Sequence, residues 1–223
     1  MSLARFTKPR FMLCEGDDDK GFFEALIARR SLPDFQVCHS AEICGTGGKT
    51  GFSKSLKGIE VLSGWRDLKA LLIVTDNDIV GQSFAEAQRS LTDNGHTPPP
   101  NHQAVGSMLG KPVAILMIPR ANEAGDLETL CLPAIYEKWP KAKICVPFFL
   151  RCTGVLTWMG ANKWSKRSSI SKARLRAAPV GFNEDDPYHT TGILFRKGTL
   201  SVENQCFDEV ANFLRQFDAM CGF

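Results

Sequence analysis

The amino-acid sequence predicts an α/β fold: a layered domain with a mainly parallel four-stranded sheet over residues 10–130, then a helical C-terminal cap over residues 131–223 packed on it. Three observations predict it. Lys69 to Asp76 (KALLIVTD) and Pro112 to Pro119 (PVAILMIP) are apolar without alternation, as strands covered on both faces are. Strand-like and helix-like segments alternate from Arg10 to about residue 120, the order that builds a parallel sheet with crossover helices. Beyond Gly125 the apolar spacing is helical throughout.

Taken in order, Arg10 to Glu15 (RFMLCE) is a short apolar run ending in acid, which predicts the first strand. Lys20 to Arg30 places Phe22, Phe23, Leu26 and Ile27 at helical spacing. Phe35 to His39 is a second, weaker strand. A glycine-rich turn then leads into an amphipathic helix from Phe52 to Leu62. Lys69 to Asp76 should be central in the sheet, with a helix from Gly81 to Leu91 after it. The prolines and turn formers of Asp93 to Gln103 make a loop before the fourth strand, Pro112 to Pro119. The cap should contain helices at Leu127 to Trp139, Phe148 to Trp158, Ser168 to Ala178 and Val202 to Phe217.

Composition narrows the function classes. The chain has 223 residues, is 43% apolar and carries a net charge of +3, which suits a folded globular protein and excludes a disordered or fibrous one. No apolar run approaches the roughly 20 residues of a membrane span. The amino terminus meets its acids too soon for a secretory signal, so a cytoplasmic location is expected. The eight cysteines form no CxxC pair, and reduced, buried thiols are expected rather than a zinc site or a disulfide scaffold. The overall charge does not announce a nucleic-acid partner, but Lys163 to Arg176 (KWSKRSSISKARLR) gathers Lys163, Lys166, Arg167, Lys172, Arg174 and Arg176 without an acid among them.

The most informative feature is a set of acidic clusters at or just past strand ends: Glu15 with Asp19, Asp76 with Asp78, and Asp126 with Glu128. In a doubly wound sheet those ends share one edge, so carboxylates distant in sequence converge. Converging carboxylates repel unless a cation lies between them, and hard oxygen ligands suit Mg²⁺ or Mn²⁺ together with a substrate phosphate. Two such ions can drive the in-line hydrolysis of a phosphodiester. Each cluster also has a bland reading: Asp17, Asp18 and Asp19 as acids at a helix start, Asp76-Asn77-Asp78 as a strand-end turn, and Asp126 with Glu128 as a helix first turn. Their conjunction favours a site.

These residues carry a resemblance. EGDDD, with Asp19 four positions after Glu15, and DNDIVG from Asp76 to Gly81, a DxDxxG pattern, resemble the Toprim domain of topoisomerases, bacterial primases and OLD-type nucleases. Pro119, Gly125, Leu127 and Glu128 make the small stand-alone OLD-like group the nearest likeness. The resemblance covers about residues 10 to 130. It implies that Asp76 and Asp78 are metal ligands, Glu15 a ligand or general acid/base, Asp19 a supporting ligand and Glu128 a ligand of a second metal. It further implies a phosphate-neutralising lysine beyond the core, for which Lys163, Lys166 and Lys172 are candidates. Gly16 would leave room for a metal-bound phosphate. Gly48 and Lys49, after the second strand, and Arg167, Lys172 and Arg174 in the basic segment would hold the strand, with Trp158 or Trp164 stacking a base.

The implied function is a Mg²⁺-dependent nuclease acting on DNA or RNA, with an ATPase partner in trans, in phage defence or repair. The alternative is a non-catalytic metal-binding Toprim subunit. A topoisomerase is disfavoured, because Tyr136 and Tyr188 lie in the helical tail outside any nucleophile context. A third reading takes GTGGKT, Gly45 to Thr50, as a nucleotide-binding P-loop, but Ile43 stands where the motif needs its first glycine.

Overall fold

The computed structural model describes residues 5–155, 167–184 and 186–223, with backbone alone at positions 49, 50 and 167–169. The first half of the chain runs β1 (Arg10–Cys14), α1 (Asp17–Arg29), β2 (Phe35–His39), α2 (Ser40–Cys44), α3 (Lys49–Ile59), β3 (Ala70–Asp76), α4 (Gln82–Thr92), β4 (Gly106–Met108) and β5 (Lys111–Ile118). The sheet order is β2-β1-β3-β5-β4. All neighbours are parallel except β4 and β5. The mixed α/β class and the mainly parallel sheet therefore hold, with five strands where the sequence predicts four.

The extra strand is β4, a three-residue edge piece joined to β5 by a two-residue turn. Both turn residues, Leu109 and Gly110, have positive φ (51° and 78°), the backbone such a hairpin needs. Leucine is a poor advertisement for that conformation, which is why the hairpin is hard to see in the sequence.

From residue 127 on, the described elements are helical: α5 (Leu127–Lys138), α6 (Ala142–Cys152), α7 (Arg167–Phe182), α8 (Thr191–Arg196), a 3₁₀ turn (Gln205–Phe207) and α9 (Asp208–Cys221). Two boundaries correct the sequence reading. The helix expected from Phe148 already starts at Ala142 and carries Pro147 inside it, whereas proline normally marks a first turn. Its expected end at Trp158 lies outside the described residues. The segment expected as one helix from Val202 starts with the 3₁₀ turn, where the Asn204 carboxamide accepts from Cys206 N (2.9 Å), and α9 follows.

Strand alternation explains the apolar runs. Met12, Leu72, Val74, Ala114, Leu116 and Ile118 face a core shared with α1 and the helices after residue 127. Phe11, Leu13, Leu71, Ile73, Val113 and Ile115 face the opposite core, closed by α3 and α4. Both faces of the central strands are thus dry, and neither tolerates a polar residue until the strand ends.

All eight cysteines are unpaired. Four are buried, but Cys145 and Cys152 are exposed on α6, so the expectation of buried thiols holds only in part. Among the described residues no helix is long and apolar enough to cross a membrane.

Candidate functional site at the strand ends

The chain goes from β1 to β2 on one side, then crosses back to place β3 on the other side of β1. The carboxyl ends of β1 and β3 therefore flank a switch point, where an open parallel sheet leaves a crevice. Glu15 is the first residue after β1 and Asp76 the last of β3. Glu15 Oε1 accepts from Asp76 N (3.1 Å) and from Thr75 Oγ1 (2.7 Å), so two groups 61 positions apart are joined directly.

Three devices bring in the remaining acids. At the start of α1 the Gly16 N–H donates to Asp19 Oδ2 (2.9 Å), which holds Asp19 back over the helix end. Asp126 caps α5, accepting from Thr129 N (2.9 Å) and Thr129 Oγ1 (2.8 Å), so Glu128 falls in the first turn. Asn77, buried between Asp76 and Asp78, fixes the loop leading there. Its Nδ2 donates to the carbonyls of Arg120 (2.8 Å), Ala121 (3.1 Å) and Glu123 (3.0 Å), and the Asn77 backbone carbonyl accepts from Gly125 N (2.9 Å).

The result is a cavity of about 430 Å³ lined by Glu15, Gly16, Asp19, Gly48, Asp76 and Glu128, with Asp17 and Asp18 on its wall and Lys172, Arg176 and Thr190 supplied by the C-terminal region. The sequence-predicted residues Glu15, Gly16, Asp19, Gly48, Asp76, Glu128 and Lys172 are brought together. Asp78 stands in the bend beyond β3, half-buried, and is not part of the wall. Arg174 is half-buried and close enough to Tyr136 to oppose the upward push that burial gives its phenol; it too is absent from the wall. Lys163, Lys166, Trp158 and Trp164 lie outside the described residues, as do the side chains of Lys49 and Arg167.

Asp17 and Asp18 do more than start a helix. Asp18 Oδ1 accepts from Gly192 N (2.8 Å) and Asp17 pairs with Arg196 (2.9 Å), which locks α1 to α8. Sequence reasoning also missed Thr75 and Asn77. A hydroxyl interrupting an apolar run next to an acid is the available signal for Thr75, while Asn77 has none beyond its place between two aspartates.

The electrostatics follow from crowding. Burial, then Glu15, Asp19 and Asp126, push the Asp76 carboxyl well above its ordinary range. Burial raises Asp19 to about 7 despite the Gly16 N–H, with Glu15 and Asp18 adding to the rise. Burial and the neighbouring Asp126 raise Glu128 to about 8. Asp126 is fully buried; its Oδ2 lacks a hydrogen-bond partner and lies 3.7 Å from the Lys172 ammonium. Burial disfavours that ammonium, but Glu128, Asp76, Asp126 and Glu15 outweigh it and its pKa is raised. The cavity thus holds more carboxylate than its cations neutralise.

This all-oxygen donor set, crowded until its members retain protons, is of the kind that accepts a hard divalent cation. Among the described residues no three acidic, histidine or cysteine side chains form a ready-made ligand group.

Fold and site together define an α/β protein with an acidic cavity at the switch point of a parallel sheet. The chain belongs to the family described as protein of unknown function DUF3226, which matches residues 9–218. No curated protein and no solved structure matches it.

Proposed function

We propose that the protein is a Mg²⁺- or Mn²⁺-dependent nuclease of Toprim type that hydrolyses phosphodiester bonds in nucleic acid. The observation that supports this best is the bond from Asp76 N to Glu15 Oε1, which joins the acids of the EG and DxD motifs at adjacent strand ends in a cavity that also holds Asp19 and Glu128. Asp76, Glu15 and Asp19 would hold the metal, with Glu128 on the far wall for a second. When bound, the metal supplies charge neutralisation for the phosphate and an acidified water. The chain's own groups do the rest. Thr75 and the Asp76 amide orient the Glu15 carboxylate, Gly16 keeps the mouth of the cavity clear of a side chain, and Lys172 and Arg176 attract the phosphate. Without a second metal, Glu128, whose pKa burial and Asp126 raise to about 8, would instead be a proton donor on that wall.

A second reading is a non-catalytic metal-binding Toprim subunit that binds nucleic acid or a protein partner. Labelled single- and double-stranded DNA and structured RNA, incubated with Mg²⁺, Mn²⁺ or EDTA, separate the two. The nuclease reading expects cleavage that EDTA, Asp76→Ala and Glu15→Ala each abolish while the variants keep their thermal midpoint. Binding without cleavage under every metal condition refutes it.

A further inference from the structure

Beside the acidic cavity lies a second depression, a groove of about 470 Å³ between α6 and α7, lined by Cys145, Val146, Phe149, Arg176, Ala177 and Val180. Its flanks are unusually apolar for a surface. Phe148 is 69% exposed, Phe149 54%, Ile144 75% and Val180 63%. Such patches mark interaction sites. Two facts say what this one takes. Neither α6 (AKICVPFFLRC) nor α7 (RSSISKARLRAAPVGF) contains an acidic residue, while Lys143, Arg151 and Arg176 are exposed on them, so the partner is anionic. A second copy of the same face would be repelled by these cations. Arg176 also lines the acidic cavity, so one guanidinium borders both depressions.

We propose that the α6–α7 groove receives an unpaired base of a single-stranded polynucleotide, stacked on Phe149, with the adjoining phosphate held by Arg176 on the way to the acidic cavity. Only an unpaired strand offers a free base face to an exposed aromatic ring, and stacking tolerates any base. Stacking reads the base face and not the sugar, so deoxyribose and ribose strands are expected to bind alike. The proposal rests on the nuclease reading for the strand's direction, and its test is built to fail separately.

The test measures fluorescence anisotropy of a labelled short oligothymidine, its ribose counterpart, an abasic strand of equal length and a duplex, all in EDTA. Phe149→Ala is expected to weaken the base-bearing strands by about tenfold and to leave the abasic strand unchanged. Phe149→Trp restores binding, and Arg176→Gln weakens all single strands with a shallower salt dependence. Exposure of the Phe149 ring keeps the alanine variant folded, which its thermal midpoint checks. Equal loss on the abasic strand, no loss at all, preference for the duplex, or binding to phosphatidylserine vesicles instead of the strand overturns the proposal. Phenylalanine-dependent binding without cleavage in any metal leaves this inference standing and removes the nuclease. Cleavage with strand affinity unchanged in Phe149→Ala does the reverse.

Discussion

Glu128→Gln tests the crowded cavity where it is most crowded. Glu128 is 8% exposed, and its pKa is raised from 4.5 to about 8 by burial and then by Asp126. A carboxyl whose folded pKa exceeds its unfolded one binds more protons when folded, so its cost is absent below pH 4.5 and grows as pH rises toward 8. Each tenfold change in proton affinity is about 1.4 kcal/mol, giving a ceiling of about 5 kcal/mol. Asp126 and Lys172 readjust when Glu128 titrates, so about 1–2 kcal/mol of it should be measurable. Glutamine has nearly the same shape, keeps a donor toward Asp126 and carries no charge. Urea unfolding in EDTA should therefore show the variant about 1–2 kcal/mol more stable than the parent at pH 8.5 and indistinguishable at pH 4.5. The corresponding gain in thermal midpoint is about 2–8 °C. A variant less stable at pH 8.5, or equally stabilised at both pH values, would refute the reasoning.

Asn77→Ala should cost about 2–4 kcal/mol in chemical denaturation, because three carbonyls of the loop from Arg120 to Glu123 lose their shared donor. Retention of parental stability would mean that the loop finds other donors. Gly21→Ala places a Cβ 2.7 Å from Gly192 Cα and 2.9 Å from Gly192 O, so α1 and α8 must separate; a loss of about 1–3 kcal/mol is expected, and an unchanged thermal midpoint would contradict the close packing.

Much of the sheet is legible in the sequence because burial on both faces writes itself as unbroken apolar runs. Ala70–Asp76 and Lys111–Ile118 lie within one residue of their expected starts and ends. β4 escapes notice because a three-residue edge strand buries too little to leave a pattern. The helix start expected at Phe148 drifts to Ala142 because proline is tolerated inside that helix, at Pro147. The acids of the cavity are readable because strand ends share an edge whatever the loops do. The cation they receive is not, since Lys172 is one of six basic residues in a continuous run and only the docking of α7 on α5 selects it. Thr75 and Asn77 act through bonds to groups far along the chain, which local spacing does not encode.

The contact between Gly21 and Gly192 sets one wall of the cavity. Thr190 reaches the cavity where α8 seats on α1 with no side chain between the two backbones, while Lys172 and Arg176 arrive on α7, docked on α5. A nascent chain that has emerged only through β5 therefore exposes its acids without their counter-charges. The cavity is completed by residues translated after the whole sheet, so a truncation before Thr190 removes part of its wall and not merely a tail.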